Sequence, residues 1–316
     1  MKKVKVGVIG TGIMGGFHAG QYKNIKEADL VGIYDQDDNR AKEVSEKYHT
    51  KAFGDMGELV SSVDALSIAT PTSTHYRTGM ACLEAGKHIL IEKPITLDPK
   101  EADDLIKKAK VNNLVLAVGH IERFNPAYRK FKDMFRERDI EAVNVIDAKR
   151  LSPYPERITD ASVVLDIMIH DIDLIMDMVN SRIKHIKAVG EKVRSKTLDK
   201  VIAQITFENG VTANIEADRL HDKKVRSLLI SAGDHAYEVD LIKKEIVKRK
   251  EHKKEQVKVS LYDQLQLELS DFIKAIIGNK RPLVPGEEGL EVLKVALKIE
   301  DLAVKSLAPG VAKELS

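Results

Sequence analysis

The sequence predicts an α/β protein in which an N-terminal doubly wound parallel sheet is followed by an α+β domain with a large open, mostly antiparallel sheet. Three observations support this prediction. Short apolar, β-branched runs alternate with helical patterns from residue 4 to 119, as in a parallel sheet covered on both faces. After residue 119, segments of alternating polarity indicate strands of an antiparallel or mixed sheet. The 316 residues are enough for about two domains, which we place at 1–122 and 123–316.

Strands and helices alternate in the first predicted domain. The six strands extend from Val4 to Gly10, Leu30 to Tyr34, Lys51 to Phe53, Ala65 to Ala69, His88 to Ile91 and Val115 to Val118. Two of the helices between them have clear starts. Asp55 can cap one helix, and Asp98 can cap another in which Pro99 takes the first helical position.

The second predicted domain combines strands with long helices, beginning with a helix from Pro126 to about Arg138. Strands are predicted at 142–149, 201–207, 211–217, 228–231 and 237–240, and further helices at 163–180, 263–277 and 287–307. Asn209-Gly210 is a strong turn signal between two of these strands. We interpret the lysine-rich stretch 243–258 as a solvated edge hairpin. A nucleic-acid patch is the minor alternative, because no aromatic residues interleave the lysines.

The first strand ends in Gly10-Thr11-Gly12-Ile13-Met14-Gly15, a G-x-G-x-x-G segment between a predicted strand and a predicted helix. There Gly10 permits a tight turn, Gly12 lets the backbone approach a pyrophosphate, and Gly15 lets helix and strand pack closely. Asp35, at the end of the second strand, can accept hydrogen bonds from both hydroxyls of an adenosine ribose. The segment therefore predicts a dinucleotide site in a Rossmann domain.

The acid at position 35 favours NAD over NADP, because a carboxylate repels a 2′-phosphate. Arg40 leaves the alternative open, since its side chain could turn toward such a phosphate. Thr70-Pro71-Thr72 and His75 follow the fourth strand, at the carboxyl edge where ligands of open α/β sheets bind. We expect them to contact the nicotinamide half of the cofactor.

Glu92-Lys93-Pro94 ends the fifth strand, so Lys93 emerges at the same carboxyl edge. Pro94 holds Lys93 out of the α region. An extended, partly buried lysine there can donate to a substrate oxygen or exchange a proton with it. From spacing alone, ion pairs of Glu92 and Lys93 at a strand end are an equal alternative.

The predicted helix at 163–180 is apolar almost all the way round, so we expect it to be buried. Asp166, His170, Asp173 and Asp177 form one narrow polar stripe on it. An imidazole one turn from a carboxylate suits general acid/base chemistry, so Asp166 and His170 are candidate catalytic residues. We expect Asp173 and Asp177 to pair with basic residues. No H-E-x-x-H pattern or Cys/His cluster supports a metal, and none is predicted.

Three motifs together resemble the oxidoreductase family named for glucose–fructose oxidoreductase, inositol dehydrogenase and a rhizopine-catabolism protein (Gfo/Idh/MocA). They are the segment from Gly10 to Gly15 with His18, Glu92-Lys93-Pro94, and Asp166 with His170. The resemblance covers essentially the whole chain. It implies that Lys93, Asp166 and His170 are catalytic, that Glu92 and Lys93 also belong to the cofactor site, and that the second domain binds substrate and often forms dimers or tetramers.

Two further segments, Val118 to Pro126 and Leu151 to Arg157, resemble a branch of this family that includes UDP-N-acetylglucosamine 3-dehydrogenase and MviM-like proteins. Fork-like arginine donors suit a diphosphate, whereas a neutral polyol would not need them. The predicted substrate site therefore contains arginines besides the catalytic residues. Its members are Lys93, His120, Arg123, Asn125, Arg150, Arg157, Asp166 and His170.

Composition excludes several classes of protein. The 51 Lys and Arg against 49 Asp and Glu give a net charge of +2, far from the basic balance of a dedicated nucleic-acid binder. No apolar run approaches the roughly 20 residues that span a bilayer, so no membrane partner is expected. Cys82 is the single cysteine and cannot form an internal disulfide. With no signal-peptide core after Met1, we expect a cytoplasmic protein.

The sequence thus predicts an NAD-dependent dehydrogenase that oxidises a secondary ring hydroxyl, in the first hypothesis that of a nucleotide-activated amino sugar. His170 would take the hydroxyl proton and Lys93 would donate to the same oxygen, with exchangeable roles, while Asp166 fixes His170 or a neighbouring hydroxyl. The alternatives are a dehydrogenase for a free polyol or aldose and a dinucleotide-binding regulator without turnover. An uncovered apolar sheet face would make the protein a homodimer or homotetramer.

Overall fold

The computed structural model describes residues 3–136, 143–155 and 162–307. The chain divides into two compact units. The first unit contains the residues up to Ile121 together with Asp263–Leu293, and the second contains Glu122–Tyr262 together with the residues from Lys294 onward. Within the described ranges, no helix is both long and apolar enough to cross a membrane.

A parallel sheet forms the centre of the first unit. Its strands are β1 (Val4–Ile9), β2 (Ala28–Tyr34), β3 (Lys51–Ala52), β4 (Ala65–Ile68), β5 (His88–Glu92) and β6 (Leu116–Gly119). They pair in the order β3-β2-β1-β4-β5-β6, and every one of these pairings is parallel. The prediction of six parallel strands is confirmed. The direction of winding reverses between β1 and β4, and ligands of such sheets bind beyond the carboxyl ends of the strands at that point.

The described residues form nine α-helices, two of which begin at the caps that the sequence predicts. They are α1 (Ile13–Tyr22), α2 (Asp38–Tyr48), α3 (Met56–Ser62), α4 (His75–Glu84), α5 (Pro99–Val111), α6 (Pro126–Arg136), α7 (Ile169–Val179), α8 (Gln264–Gly278) and α9 (Gly286–Lys305). Asp55 accepts a hydrogen bond from the Glu58 N–H at 3.0 Å, and Asp98 accepts one from the Lys100 N–H at 2.8 Å. Both predicted caps are confirmed, and each satisfies a first-turn N–H.

The helix α8 returns to the first unit because its apolar face packs there. Leu265, Leu269, Phe272 and Ile273 are buried in one core with Tyr22 of α1. A helix with such a stripe has to bury it against a partner. The second unit therefore lacks Asp263–Leu293, whereas the sequence predicts one contiguous second domain at 123–316.

Cys82 of α4 has no exposed surface, as expected for a structural thiol, and burial raises the pKa of its thiol to about 12. The thiolate is the reactive form. We therefore expect no reaction of native protein with Ellman's reagent at about pH 8, and one reacting thiol per chain after unfolding in guanidinium. Rapid labelling of the native protein would contradict this burial.

The second unit contains a mostly antiparallel sheet, as predicted. Its strands are β7 (Val143–Leu151), β8 (Ile183–Glu191), β9 (Lys200–Phe207), β10 (Thr212–Asp218), β11 (Val225–Ala232), β12 (His235–Asp240), β13 (Glu245–Lys250) and β14 (Lys253–Val257). They pair in the order β14-β13-β12-β11-β7-β10-β9-β8, and β7 with β10 is the parallel pair. The predicted lysine-rich hairpin is β13 with β14. Strand β8 was not predicted, because this edge strand carries exposed lysines that hide its apolar alternation.

The face of this sheet opposite its buried residues is mainly polar in the described part of the chain. Gln204 donates to Asn214 Oδ1 at 3.0 Å, and Asn214 donates to Asp147 Oδ1 at 2.7 Å, which joins β9, β10 and β7. Lys149 and Glu216 add an ion pair at 3.7 Å. The expectation of a large apolar patch on this face is therefore wrong, and the homodimer or homotetramer stays a prediction.

Candidate active site

The loop between β1 and α1 holds the glycines in positions that require them. Gly10 has a φ of +86°, and a Cβ added there would lie 2.6 Å from the Ala69 carbonyl oxygen. A Cβ on Gly15 would lie 1.8 Å from the carbonyl oxygen of Gly10. These two glycines therefore close the turn and the contact between helix and strand, as the sequence predicts.

The start of α1 is arranged to receive an anion. Among the described residues, no side chain caps its first turn, and a Cβ on Gly12 would meet no atom within 4 Å. Ile13 lies beside it with an exposed side chain, and Met14 is partly buried. The first N–H groups of a helix bind phosphate well, so the chain fits the pyrophosphate of a dinucleotide.

Asp35 at the end of β2 turns its carboxylate toward this loop. Its Oδ2 accepts hydrogen bonds from the Thr11 N–H at 2.6 Å and the Thr11 hydroxyl at 2.9 Å, and its Oδ1 accepts one from the Asp37 N–H at 2.9 Å. Burial raises the pKa of Asp35, but these hydrogen bonds and the charge of Arg40 outweigh it and hold the pKa below its ordinary value. An ionised carboxylate is thus present where ribose hydroxyls bind in this fold.

His75 of α4 links two loops at the carboxyl edge of the sheet. Its Nε2 lies 2.9 Å from the Thr70 carbonyl oxygen, and its Nδ1 lies 2.9 Å from that of Pro94. The ring is fully buried, and burial lowers the pKa of His75 by more than the two carbonyls raise it. Its side chain therefore joins Thr70-Pro71-Thr72 to the turn that carries Lys93. Direct contact of His75 with a cofactor stays a prediction.

Glu92 and Lys93 differ in their exposure to solvent. Lys93, before a cis Lys93-Pro94 peptide, is partly buried, as the sequence predicts. Glu92 is buried, with Oε1 lying 3.0 Å from Nε2 of His18 in α1. Burial raises the pKa of Glu92, but the hydrogen bond with His18 and the charges of His18, Lys93 and His75 outweigh it and leave the pKa below its ordinary value.

Glu268 of α8 was not identified from the sequence. His18, Glu92 and Glu268 each place one nitrogen or carboxylate oxygen within 4.8 Å of the other two. The sequence signal that could have found it is a charged residue on the otherwise apolar face of α8, one position before the buried Leu269.

In the second unit, the helix that carries Asp166 and His170 begins with a π-helical turn at Val164–Met168 and continues as α7. The Ile169 N–H bonds to the carbonyl of Val164, five residues back. Such turns are frequent at functional sites. Asp166 and His170 are partly exposed on a helix that is otherwise largely buried. The predicted helix is confirmed, and its π-helical turn is a feature that the apolar pattern does not reveal.

Two buried arginines anchor this helix. Arg123 donates to both oxygens of Asp173 at 2.8 Å, and its Nη1 lies 2.7 Å from Asp177. Arg150 of β7 donates to the two oxygens of Asp171 at 2.9 and 2.8 Å. The prediction that Asp173 and Asp177 pair with basic residues is confirmed.

These pairs argue against the diphosphate role that the sequence suggests for Arg123 and Arg150. Both guanidinium groups are 3% exposed and already donate in the bidentate geometry that a phosphate would use. A ligand would have to displace a buried carboxylate and leave it without its cation. Arg157 lies outside the described residues.

The two remaining predicted substrate residues are buried. His120 follows β6 in the first unit and is 1% exposed. Asn125 donates from Nδ2 to Glu122 Oε2 at 3.1 Å and to the Leu241 carbonyl at 2.9 Å, within the second unit. The amide of Asn125 thus holds the start of α6 against the sheet, and a substrate contact for either residue stays a prediction.

Comparisons with known proteins cover both units. A model described as an oxidoreductase family with an NAD-binding Rossmann fold matches residues 4–120, and a GFO/IDH/MocA C-terminal domain model matches residues 128–239. A UDP-N-acetylglucosamine 3-dehydrogenase from Acidithiobacillus ferrooxidans is 36% identical over 95% of this chain and 97% of its own length. A solved structure of such an enzyme from that organism has a TM-score of 0.91 at 35% identity, covering 98% of this chain and 100% of that one. A myo-inositol 2-dehydrogenase from Thermotoga maritima is 26% identical over 96% of each chain.

Proposed function

The chain belongs to the Gfo/Idh/MocA oxidoreductase family, and from that premise we propose that it oxidises a secondary ring hydroxyl of UDP-N-acetylglucosamine with NAD as hydride acceptor. One observation carries the choice of substrate. The UDP-N-acetylglucosamine 3-dehydrogenase is 36% identical over nearly the full length of both chains, whereas the inositol dehydrogenase reaches 26%. The substrate is therefore a nucleotide sugar rather than a free polyol.

Oxidation of a secondary alcohol removes a proton from oxygen and a hydride from carbon, so that the C–O bond becomes a carbonyl. When bound, NAD accepts the hydride. His170 takes the hydroxyl proton, and Lys93 donates a hydrogen bond to the same oxygen. Asp166, one turn from His170 on the π-helical turn, orients the imidazole or holds a neighbouring sugar hydroxyl. The glycine loop and Asp35 bind the pyrophosphate and the adenosine ribose.

The first experiment compares NADH formation with UDP-N-acetylglucosamine, UDP-glucose, N-acetylglucosamine, glucose and myo-inositol at equal concentration, followed by ultraviolet absorbance. We expect turnover with UDP-N-acetylglucosamine and little with the free sugars or inositol. Turnover confined to free sugars would reject the nucleotide-sugar substrate. Tight NAD binding without turnover on any of the five would instead indicate a regulator.

The preference for NAD rests on Asp35. Because a like charge beside the 2′-phosphate costs several kcal/mol, we expect kcat/KM to favour NAD over NADP by at least about 100-fold. Asp35→Ser should reduce that ratio to about tenfold or less. Asp38→Ser is the matched control, because it removes a nearby exposed acid at the first position of α2. A wild-type preference for NADP would assign Arg40 to the phosphate.

A further inference from the structure

A buried group of titratable side chains lies inside the first unit, at the end of β5. We call it the His18 cluster and define it as His18, Glu92 and Glu268. The three side chains come from α1, β5 and α8, and the residues are 0%, 9% and 2% exposed. Their nearest nitrogen and oxygen atoms lie within 4.8 Å of one another. The predicted dinucleotide contacts and the proposed proton transfer leave His18 and Glu268 without a role.

The two carboxylates of the cluster need a shared proton or a compensating charge. Two carboxylates this close and this buried cannot both be ionised without a compensating charge or proton. His18 supplies the hydrogen bond to Glu92, at 3.0 Å through Nε2. Its Nδ1 is buried and, within the described residues, has no hydrogen-bond partner. A ring that donates through Nε2 alone matches these contacts.

Every element around Glu92 contributes to its surroundings. His18 faces it from α1, Glu268 from α8 and His75 from α4, while Lys93 follows it in the chain. On β6 the position opposite is Gly119, where a Cβ would lie 2.9 Å from Glu92 Oε1, so the carboxylate packs directly on the backbone. Glu92 is thus surrounded by titratable side chains from α1, α4 and α8 and by the backbone of β6.

The residues directly before and after Lys93 in the chain each contact a buried histidine. On one side His18 holds the Glu92 carboxylate, and on the other His75 holds the Pro94 carbonyl at 2.9 Å. The charges of Glu92 and Lys93 also interact. Such an interaction is mutual, so an ionised Glu92 favours the ammonium form of Lys93.

We propose that His18 and Glu268 are positioning residues, which keep Glu92 ionised beside Lys93 by sharing protons within the cluster. His18 donates a hydrogen bond to Glu92. Glu268 takes up the shared proton, so that Glu92 stays ionised. The inference rests on the proposed function in one respect, namely that Lys93 acts on the substrate oxygen. The geometry supports a proton at the centre of the cluster, because His18 and Glu92 are within direct hydrogen-bond distance.

The test compares His18→Leu, His18→Gln and Glu268→Gln. In His18→Leu the donor is lost, Glu92 takes up a proton, and the alkaline limb of the kcat/KM profile should move to lower pH by about one unit. His18→Gln keeps an N–H donor and should restore the wild-type limb. Glu268→Gln mimics the protonated form of Glu268, so its limb should stay in place, and a move to lower pH would contradict the assignment of the proton to Glu268.

A second readout separates this inference from the proposed function. Competitive labelling with acetic anhydride, followed by peptide mass spectrometry, reports the amine form of Lys93 against pH without any sugar substrate. The labelling midpoint of Lys93 should move with the variants as the kinetic limb does, even if no tested sugar is turned over. Asn112→Ala is the matched control, because it removes a 2.9 Å hydrogen bond to the Leu83 carbonyl in the same unit without changing a cluster charge.

Three outcomes would overturn the assignment. One is a Lys93 labelling midpoint that is the same in wild type and His18→Leu. Another is an equal shift in the Asn112→Ala control, which would make the effect one of stability alone. The third is stoichiometric binding of Zn²⁺ or Mn²⁺ by equilibrium dialysis that Glu268→Gln abolishes, which would make the cluster a metal site.

Discussion

Lys93→Ala and His170→Ala are each expected to lower kcat with UDP-N-acetylglucosamine by about 10²- to 10⁴-fold. In the proposed mechanism both residues handle the hydroxyl proton in the transition state, and positioned proton transfer contributes an effect of that size. NAD affinity should change little, because the glycine loop and Asp35 remain. Tryptophan is absent from the chain, so NAD binding is best measured by calorimetry rather than by intrinsic fluorescence.

Two controls make the comparison specific. Lys100→Ala and His252→Ala remove the same residue types from exposed positions and should leave kcat within about twofold of wild type. Asp166→Asn keeps the size of the side chain and removes its charge, so its kcat should fall between those of the controls and of His170→Ala. If both alanine variants at Lys93 and His170 lose NAD binding along with turnover, these residues are needed for the cofactor and the proposed proton-transfer roles are incorrect.

The parts of the fold that the sequence predicted are those encoded by local pattern. The buried strands of the first unit, such as β1 with five of its six residues buried, contain short runs of apolar β-branched residues that the sequence pattern identifies. The destination of α8 was not predictable in this way. Its pattern shows that Leu269 and Phe272 need a partner, but not that the core around Tyr22 supplies it. That information lies in packing between distant segments.

The same distinction holds for the candidate site. The roles of Gly10 and Gly15 were predictable, because a positive φ and a close backbone approach exclude other residues locally. The roles of Arg123 and Arg150 were not, since their carboxylate partners lie 50 and 21 residues away in the chain. An arginine's chemistry fits a carboxylate as well as a diphosphate, and only the fold decides between them.

Buried ion pairs of the second unit give the largest expected effect on stability. Arg150→Met should lower the free energy of unfolding by about 3–5 kcal/mol, the usual cost of removing one partner of a buried pair. The variant leaves Asp171 and Glu122 without the cation that donates to both of them. The pKa of Arg150 reflects the same contact, since burial lowers it but the two carboxylates raise it above its ordinary value. Chemical denaturation measures the loss.

Arg226→Met is the matched control for this variant. Arg226 also reaches Glu122, at 3.4 Å, but its side chain is 45% exposed, so the loss should be only about 0–1 kcal/mol. Asp171→Leu added to Arg150→Met should recover part of the stability, because the pair is then replaced by apolar side chains instead of being broken. Equal losses in Arg150→Met and Arg226→Met would mean that burial of the pair is not what stabilises it. His170 precedes Asp171 directly, so the double variant also tests whether this ion pair positions His170. Recovered stability without recovered kcat would assign the positioning of His170 to the ion pair itself.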